Sequence, residues 1–499
     1  MYNEQSVPLT SPHKLFIGGE WVDPSTDHVF DVVRPADEVL YYRVAAAEAP
    51  DVRRAVAAAR SAFDNGPWPR MSHAERAPYL RAIAAAVRRR GLDISASWAS
   101  EMGIVYSAAQ GRIPRIARTY ERYADLAGEF PFVERHAPTA GGQLGLLVRE
   151  PVGVVAAIIP WNAPMTLMTH KLAPALLAGC TVIVKPAPEA PGSAYIMAEI
   201  AQEVGLPAGV LNVITAGREV SELLVRDNDV DKIAFTGSTA SGRRIAAICG
   251  ERIARVTLEL GGKSAAVVLD DYDVGAAAAS LASSAVHMSG QVCSSLTRII
   301  VGRKQHDDLV DALSQTFSMV QIGDPFDPTT DMGPLAMHRQ LRRVEHLISL
   351  GRQEGAKLAA GGGRPAHLPK GYFIEPTVFA SVDNGSTIAR EEIFGPVLSV
   401  IPADDEAHAI DLANDTIYGL NASVFTNDND RALEVARRLR SGTVGHNSFR
   451  TDFGIAFGGF KQSGLGREGG REGLLAYLET KTIILDGDPT DLDGDQSDP

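Results

Sequence analysis

The sequence is poor in cysteine: its 499 residues include only Cys180, Cys249 and Cys293. So few thiols, in an odd number, exclude a disulfide framework and favour a reducing compartment, so we expect a cytoplasmic protein. Long apolar runs are missing too. The longest, VGVVAAIIPW, is far short of the roughly 20 residues that span a bilayer, and the N-terminus shows no secretory signal. We therefore expect no membrane partner.

Positive charge is in the minority, with 48 lysines and arginines against 61 acidic residues and a net charge of -13. This balance argues against nucleic acid as a partner. The 12 histidines show no spacing typical of metal ligands, so no metal site is predicted. The chain is otherwise 45% hydrophobic and 22% charged, which is typical of a folded protein of two or three domains at this length.

The patterns along the chain predict an α/β protein. Between residues 152 and 269, unbroken apolar runs such as TVIVKP and DKIAFTG alternate with helical segments. That alternation is typical of a parallel sheet with helices on both faces. A second α/β stretch runs from 283 to 449, while GGQLGLLVREP and KTIILDG read as strands of a β-arm. The acidic end, DGDPTDLDGDQSDP, is predicted to be disordered.

Cys293 differs from the other two cysteines because it lies among small and polar residues, in HMSGQVCSSLTR. A thiol is mostly protonated at neutral pH, so a nucleophilic cysteine needs a base and donors for a developing oxyanion. Glu259, in TLELGGKS, is a carboxylate between two leucines, where burial is costly without a reason. Asn162, in AAIIPWNAP, is an amide at the end of an apolar strand. Each residue alone also fits a structural role, and the catalytic hypothesis depends on their occurring together.

Two glycine-rich motifs invite a nucleotide interpretation. GLGREG, residues 464–469, matches G-x-G-x-x-G but lacks the preceding buried strand that a dinucleotide turn requires. GSTASG, residues 237–242, lies between a strand and a helix, where exposed N–H groups favour a phosphate. Arg243 and Arg244 follow it where a triphosphate loop needs Lys and Ser or Thr, so it is not such a loop.

Seven segments in order resemble the NAD(P)-dependent aldehyde dehydrogenase superfamily: PWNAP, VKPAPE, FTGSTASG, LELGGKS, GQVCSS, EEIFGPV and FGGFKQSGLGRE. The resemblance runs from KLFIGGEWVD to YLETKT. It implies an α/β fold with a Rossmann-like cofactor domain (1–129 and 151–261) and an α/β catalytic domain (262–455). It also implies a β oligomerisation arm (130–150 and 476–488) that gives a homodimer or homotetramer. The tail, 489–499, falls outside it.

The resemblance also implies a reaction. Cys293 matches the nucleophile that attacks the aldehyde to give a thiohemiacetal and then a thioester. The Asn162 side chain and the Cys293 N–H match the oxyanion donors. Glu259, 34 residues before Cys293, matches the base that activates the hydrolytic water. Lys171 and Glu468 match positions thought to assist proton relay.

For the cofactor the resemblance implies NAD, with NADP as the alternative. The matching positions are Ile158, Ile159, Pro160, Trp161, Lys185, Glu189, Gly217, Gly237, Ser238, Leu260, Gln340, Glu392 and Phe394. NAD-preferring members commonly carry a glutamate three residues after the position of Lys185. This chain has Pro188 there and Glu189 one place later, which weakens the expectation of strict NAD preference.

The expected substrate pocket is roomy and mostly apolar, because small Ala163 and His170 stand where bulky aromatics are common. Leu167, Phe449, Phe453 and Phe457 are expected to line its entrance. No arginine stands out in the sequence as a partner for a second carboxylate. The interpretation is therefore a medium-to-large apolar aliphatic or aromatic aldehyde.

Three other functions compete with this interpretation. A CoA-acylating aldehyde dehydrogenase transfers the acyl group to CoA instead of water, but members of that type tend to lack the glutamate found here at 259. A cysteine hydrolase or acyltransferase without redox chemistry would want a histidine partner, and His287, six residues before Cys293, has no recognisable role. A non-catalytic protein that kept the fold would not need the set of Cys293, Glu259 and Asn162.

Overall fold

The computed structural model describes residues 7–489, which form two large sheets, a three-stranded sheet and a two-stranded ribbon. The strands are β1 (Leu15–Ile17), β2 (Glu20–Val22), β3 (Val29–Val33), β4 (Leu40–Ala45), β5 (Val133–His136), β6 (Leu144–Pro151), β7 (Val154–Ile159), β8 (Thr181–Pro186), β9 (Leu211–Val213), β10 (Lys232–Thr236), β11 (Arg255–Glu259), β12 (Ser264–Val268), β13 (Leu296–Gly302), β14 (Lys357–Ala360), β15 (Thr377–Ala380), β16 (Val397–Ala403), β17 (Asn421–Phe425), β18 (Thr443–His446), β19 (Gly464–Leu465) and β20 (Leu478–Leu485).

The helices carry most of the remaining chain. They are α1 (Ala49–Asp64), α2 (His73–Arg89), α3 (Gly91–Met102), α4 (Tyr106–Gln110), α5 (Ile113–Glu129), α6 (Pro164–Ala178), α7 (Gly192–Glu203), α8 (Arg218–Arg226), α9 (Thr239–Glu251), α10 (Val274–Val286), α11 (His306–Ser318), α12 (His338–Gln353), α13 (Thr387–Arg390), α14 (Glu406–Asn414), α15 (Asn429–Arg438) and α16 (Gly470–Leu475). None of the described helices combines the length and apolar content needed to cross a membrane.

The first large sheet has the order β19-β11-β10-β7-β8-β9-β1-β2. Its five central strands, β7 to β11, are parallel, and the edge strands are antiparallel. Along β7, Ile158 packs into a core with α1, α8 and α9, whereas Ile159 packs into a core with α2, α5, α6 and α7. Burial on both faces explains why these strands are apolar without alternation.

The second large sheet has the order β14-β15-β16-β13-β12-β17-β18 and is parallel except for β14. It too has an apolar core on each face. The chain passes from the first sheet to the second between Glu259, the last residue of β11, and Ser264, the first of β12. Neighbouring β13 begins at Leu296, three residues after Cys293. The connection between the sheets therefore brings the ELGG turn to the cysteine segment.

The strands predicted for the β-arm form the three-stranded sheet, in the order β20-β6-β5. β20 pairs with β6 along its whole length, from Leu478 opposite Pro151 to Leu485 opposite Leu144. β19, from the GLGREG motif, pairs antiparallel with β11, so this motif is an edge strand and not a dinucleotide turn. The domain boundaries and the role of the arm in oligomerisation stay predictions. Of the predicted tail, residues 489–499, only Pro489 lies within the described residues.

The end of α6 generates a stability prediction. Gly179 has φ +98°, and a Cβ there would lie 2.5 Å from Nη1 of Arg76. We expect Gly179→Ala to lower the free energy of unfolding by roughly 1–3 kcal/mol, through left-handed backbone strain and the clash. Gly128→Ala is the matched control, since nothing lies within 4 Å of a Cβ there. Urea unfolding measures both variants, and equal midpoints would contradict the prediction.

Candidate active site

A cavity of about 470 Å³ lies between the two large sheets, with Cys293 in its wall. Ten predicted site residues line it: Pro160, Trp161, Asn162, Gly237, Ser238, Leu260, Cys293, Gln340, Glu392 and Phe394. Thr236, Gly261, Arg343 and Tyr418, which were not predicted, also line it. Its volume falls within the range of small-molecule and cofactor sites.

A tight turn places Cys293 in this wall. Met288, Ser289 and Gly290 have φ values of 52°, 55° and 71°, a left-handed run that is unusual for the first two residues. Gln291, fully buried and not predicted, stabilises the turn: its Nε2 donates to the Met288 carbonyl at 3.1 Å, and its Oε1 accepts from the Ala336 N–H at 2.9 Å. Its position two residues before Cys293 is the only signal for it in the sequence. Backbone strain of this kind persists where the surroundings enforce it.

Asn162 is held beside the cysteine segment at both ends. Its side-chain Nδ2 donates to the backbone carbonyl of Gln291 at 3.0 Å, and its backbone carbonyl accepts from Nε1 of Trp98 at 2.8 Å. An amide nitrogen carries two N–H donors, so one is left for a ligand in the cavity. The geometry therefore suits the predicted oxyanion role.

Glu259 is a buried carboxylate without a hydrogen-bond partner among the described residues. It is 2% exposed, and neither Oε1 nor Oε2 is bonded to a protein donor. Burial raises the pKa of Glu259 well above its ordinary value of 4.5; the charge of Glu468 raises it further, while those of Lys171 and Arg467 oppose the shift. An orphaned carboxylate of this kind is available to bond a water and take its proton.

A buried ion pair lies next to Glu259. Lys171 Nζ is 2.5 Å from Glu468 Oε1 and donates to Thr236 Oγ1 at 2.6 Å, and the two charged side chains are 0% and 2% exposed. Thr236 pairs with Glu259 in the register of β10 and β11. Thr236 was not predicted from the sequence, although it is a polar residue that ends the apolar strand KIAFT. Thr236 bonds the predicted relay residue Lys171 and pairs with the predicted base Glu259, so it links the ion pair to the strand of Glu259.

The paired glycines after Glu259 explain how the sheets meet. A Cβ on Gly262 would lie 2.4 Å from the Cys293 carbonyl oxygen, and one on Gly261 would lie 2.3 Å from Oε2 of Glu392. The Gly262 N–H donates to Glu392 Oε1 at 3.1 Å.

Burial, followed by the charges of Glu392 and Glu259, raises the pKa of the Cys293 thiol to about 12. The resting cysteine is therefore a thiol.

The other end of the cavity offers an anion site and an aromatic wall. Ser238 caps α9 by accepting from the Ser241 N–H at 3.3 Å, and the start of this helix lines the cavity. N–H groups at a helix N-terminus bind phosphate. Across the cavity the Trp161 and Phe394 rings meet edge to face at 5.3 Å, and Gln340 donates to the Phe394 carbonyl at 2.8 Å. Phosphate donors, an aromatic wall and the Glu392 carboxylate together fit an extended dinucleotide.

The remaining predicted cofactor residues do not line this cavity. Ile158 and Ile159 are buried in β7, and Gly217 caps α8. Lys185, at 8% exposure, is the second-last residue of β8; burial lowers its pKa to about 8, against the charge of Glu189. The carboxylate of Glu189 bonds Arg339 at 2.5 Å.

The predicted substrate residues divide into two groups. The His170 ring stacks on Phe453 at 3.9 Å, and Phe453 stacks on Phe457 at 4.2 Å. Burial and the charge of Lys171 lower the pKa of His170 to about 3, so the ring is neutral within this stack. Leu167 is buried on the same helix as His170, and Ala163 packs with Trp161 around Trp98. Phe449 instead packs against the core of the second sheet.

This fold and site define the class of protein. The sequence profile of the aldehyde dehydrogenase family matches residues 21–483, and the chain belongs to that family. It is 43% identical over 480 residues to geranial dehydrogenase of Castellaniella defragrans, across 96% of this chain and 100% of that protein. Betaine aldehyde dehydrogenase of Amaranthus hypochondriacus is 39% identical, across 95% and 96%.

Solved structures agree with this assignment. An aldehyde dehydrogenase of Mycobacterium tuberculosis complexed with NAD+ superimposes with a TM-score of 0.92 at 43% identity, covering 95% of this chain and 98% of that one. A cysteine-to-alanine mutant of aldehyde dehydrogenase C from Pseudomonas syringae, complexed with NAD+ and octanal, gives 0.93 at 38% identity, covering 98% and 100%. The protein is an enzyme of aldehyde oxidation, as its sequence predicted.

The charges around Glu259 generate a pair of opposite predictions. Lys171 opposes the raised pKa of Glu259 and Glu468 contributes to it, so Lys171→Met should raise that pKa and Glu468→Gln should lower it. A base works when ionised, so kcat should rise with pH through the pKa of Glu259. The midpoint of that rise should move to higher pH in Lys171→Met and to lower pH in Glu468→Gln. Profiles of kcat against pH measure this midpoint in each variant. Shifts of the same sign in the two variants would contradict the assignment of Glu259 as the base.

Proposed function

We propose that the protein oxidises a medium-to-large aldehyde to its carboxylic acid, with NAD as oxidant and water as the acyl acceptor. The observation that carries the proposal is the orphaned, buried carboxylate of Glu259, which directly precedes Leu260 in the wall of the cavity that also holds Cys293. A carboxylate there has no structural bond to make, whereas a hydrolytic water needs a base. This favours hydrolysis over transfer of the acyl group to CoA.

The residues divide the reaction between them. Cys293 Sγ bonds to the aldehyde carbon while its proton leaves through the open cavity, and the oxyanion of the thiohemiacetal accepts from Asn162 Nδ2 and the Cys293 N–H. NAD, when bound, supplies the acceptor for the hydride that leaves this carbon. Glu259 then takes a proton from a water that adds to the thioester carbon, and the carbon–sulfur bond breaks to release the acid. Lys171 and Glu468, next to Glu259, set how readily it gains and loses that proton.

The fit of the cofactor is supported by the shape and chemistry of the cavity. The start of α9, with Gly237 and Ser238, would hold the pyrophosphate, and Glu392 would bond the nicotinamide ribose. Lys185 and Glu189 would lie at the adenosine ribose. Glu189 is bonded to Arg339, which leaves it less free to repel a 2′-phosphate. NADP is therefore the alternative oxidant. The NAD+ bound in both solved relatives favours NAD first.

An apolar aldehyde chain is supported by the side chains around Asn162 and Cys293. Leu167, the His170–Phe453–Phe457 stack and Ala163 present mostly carbon surface. Relatives act on or bind compatible molecules, as the names geranial dehydrogenase and the octanal complex state.

We further propose a cytoplasmic homodimer or homotetramer joined through the β-arm. Three unpaired thiols and an unpaired outer edge of β20 support this.

The test is a set of initial rates with octanal, measured with NAD, with NADP, and with or without CoA. We expect NADH formation with NAD that does not depend on CoA, and loss of at least roughly 10³-fold in kcat for Cys293→Ser, because the nucleophile is removed. Cys249→Ala is the matched control, since Cys249 lies 1% exposed in the core with α9. Strict dependence on CoA would contradict the hydrolytic route, and full turnover by Cys293→Ser would contradict the nucleophile.

A further inference from the structure

A half-buried guanidinium contacts the segment that leads to Cys293 and has no carboxylate partner among the described residues. Arg112 directly precedes α5, and its Nη2 contacts Nε2 of His287, six residues before Cys293. Its guanidinium carbon lies 5.9 Å from the centre of the Trp98 ring. Among residues 7–489, Arg112 makes no ion pair. No sequence pattern singles out this arginine, because only the fold brings residue 112 to residue 287.

The contact with His287 does not satisfy this charge. Burial and the charge of Arg112 lower the pKa of His287 to about 4, so the imidazole is neutral and Nε2 accepts from Arg112. Burial and the neighbouring Arg115 lower the pKa of Arg112 to about 10, so it remains charged at neutral pH. A guanidinium offers five N–H donors, and His287 takes one. A partly buried cation left uncompensated is unfavourable until an anion joins it.

Arg112 contacts residues that adjoin the segments of Asn162 and Cys293, and it does not line the cofactor cavity. Trp98, under its guanidinium, bonds the Asn162 carbonyl at 2.8 Å and packs in one cluster with Ala163 and Val292. Ala163 and Val292 adjoin Asn162 and Cys293 in sequence, yet neither lines the cofactor cavity. Arg115 is exposed on α5, and its charge also lowers the pKa of His170, whose ring belongs to the aromatic stack.

We propose that Arg112, assisted by Arg115, binds a carboxylate at the far end of the substrate, so that the preferred aldehydes have an apolar chain and a terminal carboxylate. This inference rests on the proposed function and names the substrate class of the same site. Guanidinium and carboxylate match as a bidentate pair. The six residues from His287 to Cys293 span at most roughly 20 Å, which sets an upper bound on the length of the substrate chain. The proposal departs from the expectation from sequence that no arginine serves a second carboxylate.

The test compares octanal with 8-oxooctanoate, which differ only in the terminal carboxylate. In the wild type, kcat/KM for 8-oxooctanoate should equal or exceed that for octanal. Arg112→Gln should lower the ratio of kcat/KM for 8-oxooctanoate to kcat/KM for octanal by roughly 10–100-fold, because a charged hydrogen-bonded pair is lost. Arg112→Lys should lower it less, because charge is kept but the bidentate geometry is lost. Because the readout is a ratio, a variant that folds poorly lowers both rates alike.

Arg118→Gln is the matched control, since it removes the same charge from an exposed position on α5. Calorimetric titration of octanedioate, the dicarboxylate product, gives a second readout without turnover: its affinity should fall in Arg112→Gln and persist in Arg118→Gln. An unchanged ratio in Arg112→Gln, or a wild type that disfavours 8-oxooctanoate more than tenfold, would overturn the inference. Failure to oxidise either aldehyde would instead contradict the proposed function.

Discussion

The site depends on the close contact between the Gly261–Gly262 turn and the cysteine segment. The backbone of Gly262 lies so near the Cys293 carbonyl that a Cβ would come within 2.4 Å of it. This turn is also where the chain leaves the first sheet, at Glu259, and enters the second, at Ser264. Because the contact fixes one sheet against the other, it fixes Glu259, the proposed base, relative to Cys293, the proposed nucleophile.

Burial then determines the chemistry that this geometry permits. Glu259 and Cys293 both have raised pKa values, mainly because burial disfavours their charged forms. The charges of the buried Lys171–Glu468 pair, one of each sign, act on the pKa of Glu259. A carboxylate that is reluctant to ionise is a stronger base once it does, which suits a group that must take a proton from water. The same low dielectric strengthens the bond from Asn162 to an oxyanion.

Local sequence patterns were enough to predict the parallel sheet and part of the candidate site. Unbroken apolar strands predicted the parallel sheet, and ordered motifs brought Cys293, Glu259 and Asn162 together. These patterns did not identify Gln291 or Thr236, whose importance comes from partners distant in sequence, Asn162 and Lys171. Arg112 illustrates the limit most clearly. It is one of many arginines in a helical stretch, and only the tertiary fold sets it against His287, 175 residues away.

The proposed mechanism requires Glu259 to activate the water that hydrolyses the acyl group held on Cys293. The most direct measurement is rapid mixing of Glu259→Gln with saturating NAD and octanal, followed by NADH absorbance. The account predicts a burst of one NADH per active site at close to the wild-type rate, then steady turnover slower by roughly 10²–10⁴-fold, because only the deacylation step has lost its base. A steady rate equal to that of the wild type, or the loss of the burst itself, would contradict it.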